Sequence, residues 1–153
     1  MLIQAHSPQQ LESIREMFEE YSKELDFDLC FQHFSDELAG LPGDYALPHG
    51  RLYLAVLDEK PAGCAALRRI DESTCEMKRL YVRRRLRGRG TGRELAMRII
   101  DEARAIGYRR MRLDTVPAMT TAIALYTSLG FREITPYRFN PLEGAVYMEM
   151  VLF

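Results

Sequence analysis

The chain has 153 residues, 47% of them hydrophobic and 28% charged, a length and balance that suit one globular core and exclude a disordered chain. Its longest clear apolar run, residues 53–57, has strand length against the roughly 20 residues of a membrane helix, and residues 1–7 lack the basic-then-apolar pattern of a secretory leader. The net charge of −1 divides unevenly: residues 1–50 hold two basic side chains against ten acidic ones, and residues 51–153 hold 19 against 12, so one region is set to face an anion and another a cation.

In chain order, residues 2–5 read as a first strand. Ser7, Pro8 and Gln10 then supply a cap, a first-turn proline and the third-position glutamine of a capping box. Leu11, Ile14, Phe18, Tyr21 and Leu25 continue as one apolar stripe of a helix. A second helix is predicted over 29–39, with Phe31, Phe34 and Leu38 inward, and loop over 40–50, where Gly40, Pro42, Gly43, Pro48 and Gly50 fall. Strands follow at 51–57, 61–69 and 74–82, joined by short polar turns as a meander. A long helix over 90–105 ends at Gly107, with Leu95, Ile99, Ala103 and Ile106 on one face. A strand at 110–114, a helix opened by Pro117 and closed by Gly130, and strands at 131–134 and 145–152 complete the chain. This order predicts one domain over 1–153, a mixed α/β fold on a partly antiparallel sheet.

Cys30, Cys64 and Cys75 are odd in number with no Cys-x-x-Cys spacing, which reads as reduced thiols in a cytoplasmic protein. The three histidines form no helical i, i+4 pair, and no metal site is expected.

Two segments carry chemistry. Arg83 to Arg93 joins a strand to the long helix, with glycines at 88, 90 and 92 and arginines at 87 and 89. Glycine lets the backbone approach a ligand, and free N–H groups at a helix start attract an anion. The loop fits neither a Walker A nor a Gly-x-Gly-x-x-Gly pattern, although Asp114, at the end of the next strand, is a loose match to the acidic residue of a dinucleotide site and keeps that reading open. Lys78, Arg79, Arg83, Arg84 and Arg85 keep a nucleic-acid surface open, against which stand the acidic isoelectric point and the lack of an aromatic-rich basic stripe. In the preceding strand, Cys75 and Met77 are apolar at odd positions but Leu80 and Val82 at even ones. A β-bulge near Lys78-Arg79 shifts phase in this way and leaves a backbone N–H near Leu80 without a strand partner. A strand buried on both faces is the alternative.

Glu76 to Val82, then Arg87-Gly88-Arg89-Gly90-Thr91-Gly92, then Ala122 to Tyr126 with Leu129-Gly130-Phe131, resemble the GNAT superfamily of acyl-CoA-dependent N-acyltransferases. The resemblance implies a GNAT-like fold, a mixed sheet with about four helices on its faces. It implies that amides of residues 87–92 hold the coenzyme A pyrophosphate and that Leu80, Tyr81 and Val82 pair with the pantetheine arm. Acetyl-CoA is then the co-substrate, with no metal, nucleic acid or membrane involved and a homodimer left open. The Leu80 N–H would face the thioester oxygen, Tyr126 would be the general acid, and Glu76 the general base, its pKa raised above about 4.3 by burial; pairing of Glu76 with Arg68 or Arg69 is the competing role. The family's frequent asparagine before the last helix is Met119 here. Glu16, Glu19, Glu20, Glu24, Asp26, Asp28, Asp36 and Glu37, on elements that cover the acceptor in similar proteins, suggest a cationic amine. A module that binds coenzyme A or nucleic acid without chemistry is the alternative function.

Overall fold

A computed structural model of the chain describes residues 1–25, 33–140 and 143–153. The elements are β1 (Leu2–Gln4), α1 (Pro8–Glu24), α2 (Phe34–Ala39), β2 (Arg51–Leu57), β3 (Lys60–Arg69), β4 (Thr74–Val82), α3 (Thr91–Ile106), β5 (Arg110–Thr115), α4 (Thr120–Leu129), β6 (Arg132–Ile134) and β7 (Val146–Val151). They build the mixed α/β fold expected: seven strands in the order β1-β2-β3-β4-β5-β7-β6. The β2-β3-β4 meander is antiparallel and the β4–β5 pair parallel.

Local chemistry sets the boundaries. Ser7 caps α1 as the sequence demands: its hydroxyl accepts from the Gln10 N–H, and the Gln10 side chain accepts in return from the Ser7 N–H. The expected second helix is described only from Phe34, and its residues 29–32 lie outside the described residues. One boundary is corrected. Pro117 does not open α4, because the Met119 N–H closes a turn onto the Val116 carbonyl, leaving Met119 as the cap and Thr120 as the first helical residue.

Helices cover both faces of the sheet. On one, Leu95, Ile99 and Ala103 of α3 pack on Cys75, Met77 and Met111, with Ala122 and Leu125 of α4 alongside. On the other, Ile14, Met17 and Phe18 of α1 pack on Leu52, Leu54 and Cys64. Each large side chain buried this way contributes about 2 kcal/mol. The feature that positions the site is a divergence: β4 and β5 pair only from Thr74 to Glu76 against Arg110 to Arg112, and β4 then continues to Val82 along β3 alone.

Candidate active site

The expected bulge is present. Lys78 stands opposite Ala66 but Tyr81 opposite Cys64, so β4 carries one extra residue there. Arg79 adopts a left-handed φ of 57°. The shift reconciles the two phases, because Cys75, Met77, Leu80 and Val82 all meet the core beneath α3. It also turns Arg79 to the opposite face, where its guanidinium binds both carboxylate oxygens of Glu37 at 3.0 and 2.9 Å.

Beyond Val82 the chain turns into the glycine loop. Gly88 and Gly90 have φ of 84° and 82°, and Gly90 caps α3 without a side chain, so the first N–H groups of the helix have no side-chain cap. A cavity of about 470 Å³ opens here, lined by Leu80, Tyr81 and Val82, by Gly88 and Gly90 to Arg93, and by Met119 with Thr120 to Ala122 of α4. Of the residues singled out in the sequence, Leu80, Tyr81, Val82, Arg87, Gly88, Gly90, Thr91 and Gly92 therefore meet in one cleft, whereas Arg89 is exposed and outside its lining. Arg87 is part of that lining. Its Nε–H donates to the Val82 carbonyl at 2.8 Å, a terminal nitrogen pairs with Glu24 at 2.6 Å, and the guanidinium stacks on Tyr81. Met119 lines the same cleft with two hydroxyl neighbours, Thr120 and Thr121. Tyr126 is buried one residue beyond Leu125, its ring edge-on to Phe131. Burial pushes its hydroxyl pKa well above the ordinary tyrosine value, helped by the nearby Tyr21 and Asp114.

Glu76 sits apart from the cleft lining, fully buried on the α1 face of the sheet. Its Oε1 accepts from the Arg68 Nε–H at 2.7 Å, and its Oε2 accepts from the Tyr137 hydroxyl at 2.5 Å and from Arg138. The expected rise in its pKa is corrected. Burial does push it up, but Lys78, Arg68 and Arg138 together outweigh burial and hold the carboxyl below its usual range. Burial in turn pushes the Lys78 ammonium down to about 8 against the pull of Glu76.

Four of the acids singled out on α1 and α2 are paired, while Glu19 and Asp36 are exposed. Glu20 binds Arg83 at 2.8 Å with Glu16 at 3.7 Å behind it, Glu24 takes Arg87, and Glu37 takes Arg79. These carboxylates balance the protein's own arginines; Asp26 and Asp28 lie outside the described residues. Among the described residues there is no group of three or more metal-ligating side chains and no helix long and apolar enough to cross a membrane.

Sequence reasoning missed Tyr137 and Arg138. They stand 61 and 62 residues from Glu76 in an irregular segment with no periodicity to read. Arg68 is the partner that the sequence sets against the base role, and the meander register places it directly across from Glu76.

Comparison with known proteins accords with this geometry. The family model described as "Acetyltransferase (GNAT) family" matches residues 11–131. An uncharacterised N-acetyltransferase of Schizosaccharomyces pombe is 39% identical over 145 residues, covering 94% of this chain and 89% of its own. An acetyltransferase structure from Streptococcus agalactiae superposes with a TM-score of 0.82 at 23% identity, over 99% of this chain and 97% of that one. A GNAT family acetyltransferase from Elizabethkingia anophelis with acetyl-CoA bound does so with a TM-score of 0.59 at 26% identity, over 72% of this chain and 81% of that one.

Proposed function

The chain belongs to the acetyltransferase (GNAT) family of acyltransferases, and on that footing we propose that it passes the acetyl group of acetyl-CoA directly to an amine, without an acyl-enzyme. The observation that carries this reading is the meeting of the β4 bulge and the Gly88–Gly92 loop in one cavity. The pyrophosphate is taken by the N–H groups that begin α3, where the helix dipole favours negative charge. The pantetheine arm runs along Leu80 to Val82 as an added strand, which requires Arg87 to release the Val82 carbonyl.

The thioester carbonyl then lies at the bulge, where the Leu80 N–H donates to the oxyanion that forms on attack. The neutral amine makes the new C–N bond, the C–S bond breaks, and the thiolate takes the Tyr126 proton to leave as free coenzyme A. Burial keeps that tyrosine protonated at neutral pH and above. The amine's own proton leaves to water, and water returns a proton to the Tyr126 phenolate, which closes the cycle. Glu76, ionised and ringed by cations, enters this reading as the charge that positions Arg68, Arg138 and Tyr137 rather than as the base. Glu20 and Glu24 of α1 bind arginines of the chain, and Glu19 stays exposed.

Thermal unfolding with acetyl-CoA, NAD, ATP and short DNA tests the ligand class, and thiol release with a panel of amines tests the transfer. Stabilisation by acetyl-CoA together with amine-dependent thiol release is expected. Binding without thiol release from any amine would reduce the protein to a coenzyme A-binding module.

A further inference from the structure

We propose that the acceptor amine carries a carboxylate, recognised by the guanidinium groups of Arg68 and Arg138 where β4 and β5 diverge. This rests on the acetyl-transfer reading above and names the substrate class for it.

The site is a row laid down by strand register. Arg68 pairs with Glu76, Glu76 with Arg112, and Arg112 with Glu149 across four neighbouring strands, so the four side chains project from the same face of the sheet. That face carries α1 over its other half, and here the segment after β6 supplies Tyr137 and Arg138. Exposure sorts the charges. The Glu76 carboxylate is sealed at 0%, while the Arg68, Arg112 and Arg138 side chains remain 30%, 25% and 22% exposed. Glu76 is at the bottom, and the rim carries Arg68 and Arg138 beside the Arg112–Glu149 pair, whose carboxylate is 19% exposed, so the rim is positive on balance.

The cations also outnumber the anions. Among the described residues, Arg68 and Arg138 share the single Glu76 carboxylate, while Arg112 and Arg79 each have a carboxylate of their own in Glu149 and Glu37. A monocarboxylate closes the difference; a second ammonium widens it. Arg68 gives Glu76 its Nε–H and Arg138 gives a terminal N–H, so most of their roughly ten N–H donors are not spent on that carboxylate. Guanidinium groups match carboxylate geometry closely.

Position relative to the chemistry follows from the strand. Glu76 is the last β4 residue paired with β5, and the bulge begins at Arg79, about 10 Å further along the strand. A small amino acid gripped by its carboxylate at the rim extends its amine toward the bulge, where the thioester is read to lie.

The test is thiol release under saturating acetyl-CoA, with kcat/KM expressed per neutral amine. Acceptors are amino acids with one and two carboxylates, the same amino acids as amides, and spermidine. The carboxylates are expected to exceed their amides at least tenfold. Arg138→Gln and Arg68→Gln, each confirmed folded by a retained acetyl-CoA thermal shift, are expected to shrink that ratio at least fivefold through KM, with Arg138→Lys restoring part of it. Amides or spermidine matching the carboxylates, or a ratio unmoved in both glutamine variants, overturns the proposal while leaving acetyl transfer intact. Stabilisation by acetyl-CoA with no thiol release from any amine sinks the transfer reading and this proposal with it.

Discussion

The two halves of the region around the β4 bulge are built from different material. The cofactor half is made of backbone: a bulge, two glycines with positive φ and the bare start of α3. The half beneath the divergence of β4 and β5 is made of long side chains, with Arg68, Lys78, Arg138 and Tyr137 converging on one buried carboxylate. A backbone site tolerates variation in most of its side chains and depends on a few glycines. A side-chain site depends on every partner at once, because removing one leaves the others buried and unbalanced.

The sharpest break in that contrast is Glu76→Gln. Three cations then surround a neutral amide, and a loss of about 3–5 kcal/mol in folding stability is expected at neutral pH, read by denaturant titration. The pH dependence has a definite sign. A carboxyl held below its ordinary 4.5 in the folded state contributes stability that is fully present above 4.5 and lost as pH falls through the lower folded value. The gap between wild type and variant should therefore close in acid. A constant gap from pH 7 to pH 3 would assign the loss to packing.

Tyr126→Phe probes the one side chain on the cofactor half to which chemistry is assigned. It lies outside the cavity lining, so acetyl-CoA binding should survive while kcat falls about hundredfold, the ordinary worth of a positioned acid. A fall in affinity with kcat intact would make Tyr126 a packing residue beside Phe131.

Gly90→Val examines the backbone half itself. A Cβ there would meet nothing within 4 Å, so the fold should stand; the cost is a φ of 82° that valine disfavours. Relaxation of the loop should weaken acetyl-CoA about thirtyfold, roughly 2 kcal/mol, by calorimetry. Unchanged affinity would detach the pyrophosphate from the α3 start.

The same contrast explains what the sequence made legible. The bulge was visible because Cys75 and Met77 fall out of phase with Leu80 and Val82, and the loop because glycine spacing precedes an amphipathic helix; both are local and periodic. The meander was legible for the same reason, and with it the Arg68–Glu76 pairing. The rest was not. Tyr137 and Arg138 reach Glu76 from more than 60 residues away, and they add to the lowering of its pKa by Lys78 and Arg68. The acidic surplus of residues 1–50 is legible as charge segregation, but the sequence does not show that Glu20, Glu24 and Glu37 answer arginines of this same chain.

The smallest effect lies on the seam between the halves. Arg87 belongs to the glycine loop by sequence, yet it reaches to Glu24 on α1 and holds the Val82 carbonyl that the pantetheine arm is read to use. Half-exposed ion pairs of this kind are worth about 0.2–1 kcal/mol. Glu24→Gln should free Arg87 to face the pyrophosphate and tighten acetyl-CoA two- to threefold at low salt, with wild type and variant converging as added salt screens the pair. The opposite sign, weaker binding in the variant, would mean that Glu24 holds Arg87 in its working position rather than away from it. The cofactor half would then depend on a side-chain contact after all.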